Sequence, residues 1–353
     1  MLKSTYLNKK VLVTGHTGFK GSWLCVWLQL MGAKVKGYAL EAENPSLYKL
    51  IAKDLEIESY IGDIRNRELF KQEILNFEPD FIFHLAAQPL VIASYEQPVE
   101  TFETNVMGTA HLLNAVRFLE KPCTVVCITT DKVYENNEWI YPYRETDHLG
   151  GHDPYSSSKA ACEIVIQSYR RSFFNPEHYN NHKKGIASAR AGNVIGGGDF
   201  AENRIVPDLI KALENNQPLQ VRNPQAVRPW QHVLEPLSGY LLLGQKLYNN
   251  PTEFAQAYNF GPWPQDTMPV ESLVKLLIQS WGSGDYHTPE NKNKLHEAGL
   301  LELDISKAVN QLNWQPKLNI SETVNMITTW AKNYTNQNPF DLCREQVEGY
   351  VNI

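Results

Sequence analysis

Residues 9–24 read Lys-Lys-Val-Leu-Val-Thr-Gly-His-Thr-Gly-Phe-Lys-Gly-Ser-Trp-Leu, a stretch that few folds accept. Val11 to Thr14 is an apolar run of strand length, and Trp23, Leu24, Trp27, Leu28 and Met31 then recur at the spacing of one helical face. Glycine at 15, 18 and 21 fills the turn between them, where the backbone can bend tightly and approach a ligand. A helix that starts straight from such a turn leaves its first N–H groups unpaired and points its dipole at the loop. That combination favours an anion, a pyrophosphate in particular. The stretch therefore predicts an α/β chain with an anion site close to its N-terminus.

The following 170 residues keep alternating. Strand patterns fall at 33–40, 60–64, 81–88, 124–130 and 185–191, and a long helix is predicted over 99–119, carrying Asn105, Gly108 and Leu112. Such alternation predicts a doubly wound parallel sheet, whose ligands lie at the carboxyl ends of the strands. Asp63, Leu85 to Gln88, Thr130 and Asp131 all stand at such ends. The place where many NAD sites carry a ribose-binding acid holds Ala39, with Glu41 two residues on, so the choice between NAD and NADP stays open. The texture changes near residue 193: short strand patterns at 219–223 and 257–261, a helix opening at Arg204, and Arg222 and Arg228 among aromatic and Asn residues. Those arginines, with Asn193, suit a substrate that carries phosphates and a base. Residues 333–353 are polar and read as a peripheral tail.

A net charge of −6 over 353 residues gives no general attraction to nucleic acid or to an anionic membrane. No run of about 20 apolar residues would span a bilayer, and the opening Met-Leu-Lys-Ser-Thr-Tyr is unlike a signal peptide, so a cytoplasmic location is expected. The five cysteines (25, 123, 127, 162, 343) lack metal-ligand spacing and read as buried free thiols; no metal is expected.

Tyr155 and Lys159, four apart at the start of a predicted helix, lie on one face. An ammonium beside a phenol favours the phenolate, which makes tyrosine a base near neutral pH. Tyr6/Lys10 and Tyr179/Lys183 share the spacing but follow no strand with a polar carboxyl end, and they read as surface pairs.

With these residues in hand, the chain resembles the extended short-chain dehydrogenase/reductase family, and within it the nucleotide-sugar 4,6-dehydratases, above all those acting on CDP-glucose. The resemblance is carried by residues 14–23, by Thr129-Thr130-Asp131-Lys132-Val133-Tyr134, by 144–151 and by 190–199, and it runs from about residue 8 to about 335. It implies a Rossmann domain over 8–192 that binds NAD, to which later segments return. It also implies a smaller substrate lobe over 193–335, a tail over 336–353, and a homodimer. The NAD contacts it implies are Gly15, Thr17, Gly18, Phe19, Lys20, Asp63, Ile64, Leu85, Ala86, Ala87, Gln88, Asn105, Tyr155 and Lys159. Substrate contacts are Asn193, Arg204, Arg222 and Arg228, and the catalytic set is Thr130, Asp131, Lys132, Tyr155 and Lys159. The implied reaction is a redox-neutral dehydration on the way to dideoxyhexoses of surface polysaccharides. Lys132 departs from the Asp-Glu pair of many related dehydratases: either a neutral Lys132 takes the proton from carbon 5, or a charged Lys132 steadies the enolate and Glu135 or a water is the base. A dehydratase or 4-epimerase for another nucleotide sugar, and a non-catalytic NAD sensor, are the competing readings.

Overall fold

A computed structural model describes residues 2–288 and 300–353. Seven strands form one parallel sheet: β1 (Lys10–Thr14), β2 (Lys34–Ala39), β3 (Glu58–Ile61), β4 (Phe81–His84), β5 (Cys123–Ile128), β6 (Lys184–Ala191) and β7 (Ala257–Phe260). Their spatial order is β7-β6-β5-β4-β1-β2-β3. The chain winds outward from β1 to β3 and then returns to β4 on the other side of β1. This reversal opens a crevice at the carboxyl ends of β1 and β4. β4, β5 and β6 are buried along their whole length, as strands covered on both faces must be; β4 and β5 are largely apolar, whereas β6 carries Lys184, Ser188 and Arg190 among small residues.

One face of the sheet packs on the helices Phe19–Leu30 and Leu234–Asn249, through Trp23, Trp27, Leu237 and Leu241 among others. The other face is covered by Arg67–Phe77, Gly108–Val116 and Pro154–Ser172, through Phe70, Leu112, Leu113 and Ile166. A separate core, built from Ile195, Val206, Leu209, Trp230, Leu273, Leu277 and Ile327, joins the helices Ile205–Glu214, Val270–Trp281 and Ile320–Asn333. The glycine-rich segment 196–198 leans on the first core: Trp23 donates its indole N–H to the Gly197 carbonyl at 2.9 Å.

Two expectations need correction. The helix over 99–119 is interrupted: Pro98–Phe102 leads into a wide π turn, Glu103–Met107, before Gly108–Val116 resumes. Thr109 Oγ1 and Cys162 Sγ both donate to the Asn105 carbonyl, at 2.7 and 3.1 Å, so that carbonyl is satisfied from outside the regular helical ladder. The tail is not peripheral. Pro339–Asn352 is a helix whose Phe340, Cys343, Val347 and Tyr350 are buried, with the Tyr350 ring edge-on to Trp27. Their spacing of three, four and three is that of a helical stripe, masked in the sequence by the polar residues between them. All five cysteines are buried and unpaired.

Candidate active site

The glycine turn forms one wall of the crevice. Gly15 has φ +75°, and a Cβ there would lie 2.8 Å from the Ala86 nitrogen on the loop after β4. Its N–H donates to the Tyr38 carbonyl at 2.9 Å, which ties the turn to β2. Gly18 caps the following helix without a side-chain hydrogen bond. The N–H groups of that helix's first turn have no partners within the helix, so the turn fits an anionic group such as a pyrophosphate. Thr17 Oγ1 donates to the Leu40 carbonyl at 3.0 Å, which pins the turn to the end of β2. Burial pushes the Lys20 ammonium down to about 8, Lys159 and Arg204 act in the same direction, and Asp131 opposes them. Lys20, in the first turn of the helix, thus feels the charges of Lys159, Arg204 and Asp131. Phe19 closes the opposite side, in reach of the space beside Gly196.

Beyond β4 the loop is held by short polar contacts. Leu85 and Ala86 donate their N–H groups to Thr14 O and Thr14 Oγ1, both at 3.1 Å. The Asn105 carboxamide accepts from Gln88 N at 2.8 Å and donates to Gln88 O at 3.1 Å and Ser158 Oγ at 2.8 Å. These bonds clamp the Leu85–Gln88 loop to the helix Pro154–Ser172. At the end of β3, burial raises the Asp63 carboxyl but the Arg65 guanidinium, at 2.7 Å, outweighs it and holds the carboxyl below its usual range. Ile64 is buried against Gly108.

The candidate catalytic groups Thr130 and Asp131 stand where β5 ends. Thr130 Oγ1 donates to Asp131 Oδ1 at 2.8 Å, and both residues are buried. Asp131 Oδ2 is buried without a partner, and it fills the space that a Cβ on Gly192 would occupy. The helix carrying Tyr155 starts at Pro154, capped by Asp153, which accepts from Ser156 N at 2.9 Å and Ser156 Oγ at 2.6 Å. Burial pushes the Tyr155 phenol up to about 12; a hydrogen bond with Thr130 and the charge of Arg204 draw it down, while Asp131 and Asp153 push it up. Lys159 Nζ donates to the Ile128 carbonyl at 3.3 Å. The groups that draw the phenol down are therefore Thr130 and Arg204. Lys132 lies half-buried in the single turn Asp131–Val133, and Glu135 is exposed.

Of the two comparison pairs, Tyr6/Lys10 is not a surface pair, whereas Tyr179 is half-buried and Lys183 exposed. Tyr6 is fully buried and donates to the Leu241 carbonyl at 2.6 Å, because the helix Leu2–Tyr6 ends before Lys10 enters β1. Tyr179 begins a helix of four residues that stops before Lys183. Among the residues expected at the substrate, Arg204 is held by Asp199 at 3.0 Å and Asn193 turns the chain at φ +39°. Arg228 lies in the short strand Val227–Pro229 and donates to the Val227 carbonyl at 2.9 Å. Arg222 is exposed, its charge felt by Asp208. Sequence reasoning missed Gln231, which donates to Gly192 O at 3.0 Å and Phe260 O at 3.1 Å and so braces the turn behind Asp131. It also missed Glu163 and Arg190, although Glu163 stands four residues beyond Lys159 on the same helical face.

A family model described as GDP-mannose 4,6 dehydratase matches residues 12–327. The chain is 48% identical over 351 residues, 99% of its length and 98% of the relative's, to a CDP-glucose 4,6-dehydratase of Salmonella typhimurium. A dTDP-D-glucose 4,6-dehydratase of Dictyostelium discoideum is 28% identical over 73% of this chain and 59% of its own. The same fold is seen in the crystal structure of a dTDP-glucose 4,6-dehydratase from Bacillus anthracis in complex with NAD. That structure has a TM-score of 0.76 and 21% identity, and the match covers 95% of this chain and 99% of the other. Matching across nine-tenths of the sequence, with a glycine turn, a strand-end Thr-Asp and a buried tyrosine gathered at one crevice, the chain belongs to the GDP-mannose 4,6-dehydratase family of extended short-chain dehydrogenases/reductases.

Proposed function

We propose that this chain is an NAD-dependent hydro-lyase that converts CDP-glucose to CDP-4-dehydro-6-deoxyglucose and water. The reading is carried by Thr130, Asp131, Tyr155 and Lys159 meeting in one crevice of a chain 48% identical to a CDP-glucose 4,6-dehydratase. The glycine turn and the Leu85–Gln88 loop fit the cofactor's pyrophosphate and its passage over the sheet. NAD held there would supply reversible hydride transfer, taking up a hydride from carbon 4 of the sugar and giving it back at carbon 6. Tyr155 takes the proton of the 4-hydroxyl, and Thr130 hydrogen-bonds the same oxygen. Once carbon 4 is a ketone, the proton on carbon 5 is acidic. Lys132, as the neutral amine, removes it and becomes an ammonium, and Asp131, as the carboxylic acid, gives its proton to the departing 6-hydroxyl, which leaves as water. A buried Oδ2 with no protein partner is suited to that transfer. A 4-epimerase needs no such acid. Arg204, Arg222, Arg228 and Asn193 bind the nucleotide part of the substrate.

The test is to incubate the protein and its Tyr155→Phe variant with NAD and CDP-, dTDP-, UDP- or GDP-sugars, then read the alkali-induced absorbance of a 4-keto-6-deoxy product. We expect turnover of CDP-glucose without added reductant, falling roughly 100- to 10,000-fold in Tyr155→Phe. Preference for another nucleotide, or a need for stoichiometric reductant, would overturn it.

The chain acts as a homodimer in the cytoplasm. Val99, Phe102 and Met107 are exposed on one helical segment, and Ile164 is exposed on the Pro154–Ser172 helix that packs against it. An exposed apolar face of this kind suits a second copy of the chain. Light scattering should give twice the chain mass, and one chain mass for Ile164→Glu.

A further inference from the structure

Beneath the reacting groups lies a second buried polar cluster to which the reaction gives no role. Glu163 stands one helical turn beyond Lys159, and its side chain and that of Arg190 are each 4% exposed. Glu163 Oε1 accepts from Thr129 Oγ1 at 2.6 Å; Oε2 accepts from Ser188 Oγ and Arg190 Nη2, each at 2.8 Å. Arg190 Nη1 donates to the Tyr134 hydroxyl at 2.8 Å, and that hydroxyl donates to Asn259 Oδ1 at 2.7 Å. One carboxylate thus fastens the helix of Tyr155 and Lys159 to the residue just before Thr130 and to the neighbouring strand β6.

The charges around it explain why a carboxylate is used. Lys159 is buried, and its ammonium gives one hydrogen bond, to the Ile128 carbonyl. The titratable groups that face it are His84 on β4, Cys127 on β5, Cys162 on its own helix, Lys20 beside the glycine turn, and Glu163. Burial pushes His84 down to about 3 and pushes both thiols up, so these three are uncharged at neutral pH. Lys20 is itself basic. Facing Glu163 on the other side are Arg190 and Arg170, and Arg190 Nε and Arg170 Nη1 are buried without partners. The carboxylate in this set of basic groups is Glu163.

We propose that Glu163 is a positioning residue, which holds Lys159 and Tyr155 in register with Thr130 and supplies the negative charge that keeps the buried Lys159 protonated. Arg190 holds the carboxylate in place. Its charge is opposite in sign to the carboxylate's, so removing the two partners separately tells an electrostatic role at Lys159 from a shared role in packing. The role of Lys159 in turnover rests on the dehydratase reading above, whereas its protonation can be followed without substrate.

The experiment titrates protein labelled with [6-13C]lysine, the Lys159 signal being assigned by its loss in Lys159→Met. In Glu163→Gln the Lys159 midpoint should fall by about one pH unit or more. In Arg190→Gln it should stay or rise. The doubly substituted Glu163→Gln/Arg190→Gln removes both charges of that ion pair and serves if the first variant fails to fold; its midpoint should also fall. In turnover assays on CDP-glucose, Glu163→Gln should lower kcat roughly ten-fold or more, with KM little changed. A Lys159 midpoint unmoved in both variants that lack Glu163, or lowered equally in Arg190→Gln, would leave Glu163 a packing role only and overturn the proposal. That result would not touch the dehydratase reading, which the product assay tests separately.

Discussion

A Cβ added at Gly192 would overlap Asp131 Oδ2, so the backbone beyond β6 shapes the pocket in which the acid sits. Gly192→Ala should therefore fold, since its backbone is not in the left-handed region, while the carboxylate is pushed off Thr130. Loss of a general acid is worth roughly 100- to 10,000-fold, and it should appear in elimination more than in oxidation at carbon 4. Wild-type elimination in this variant would show that Asp131 does not need its present seat. The proposed role of Lys132 in the other half of elimination has its own test. With a preformed 4-keto analogue in deuterated water, exchange at carbon 5 should vanish in Lys132→Ala and persist in Glu135→Gln. The reverse result would make Glu135 the base and leave Lys132 an electrostatic role. Gly15, Thr130 and Tyr155 were legible because their signals are local: a turn between strand and helix, a polar residue at a strand end, a four-residue spacing. Glu163 and Arg190 stand 27 residues apart, and Gly192 and Asp131 61 apart. Such pairs meet only through the sheet, and no local pattern announces them.

At the level of elements, β1, β4 and β5 were readable because strands buried on both faces are rich in apolar and β-branched residues. Helix breaks and docking were not. The π turn at Glu103–Met107 depends on donors from Thr109 and from Cys162, the latter on another helix. The terminal helix is anchored at Glu235, whose carboxylate accepts from Lys317 N at 2.8 Å, Leu318 N at 2.7 Å and the Tyr350 hydroxyl at 2.7 Å. Burial raises this carboxyl above its usual range even though those three donors oppose the shift. Tyr350→Phe removes one donor and leaves a buried oxygen short of a partner, which costs about 1–3 kcal/mol. Urea unfolding should register that loss. An unchanged midpoint would return the helix to the peripheral role that its polar residues had suggested.

For the whole molecule, acid is the stress that the buried groups define. His16, His84 and His232 are buried, and burial pushes them down to about 4, 3 and 3; His16 Nδ1 and His232 Nε2 have no partner. In the unfolded chain histidine titrates near 6.5, so below that pH the unfolded state binds protons that the folded state refuses. Stability is then lost as pH falls from about 6.5 toward the folded values, and at pH 5 each histidine costs about 2 kcal/mol. Glu145 and Glu235, whose carboxyls burial holds above their usual range, act in the opposite sense and offset part of the loss as pH falls through their folded values. Unfolding free energy should therefore decline steeply between pH 6.5 and 4. In His16→Gln, which leaves an amide to meet Ser59 Oγ, the slope near pH 5 should ease by about one proton, or about 1.4 kcal/mol per pH unit. An unchanged slope would mean that His16 takes up its proton without unfolding, and that acid lability lies in carboxylates such as Asp63 and Glu163, whose folded values are depressed.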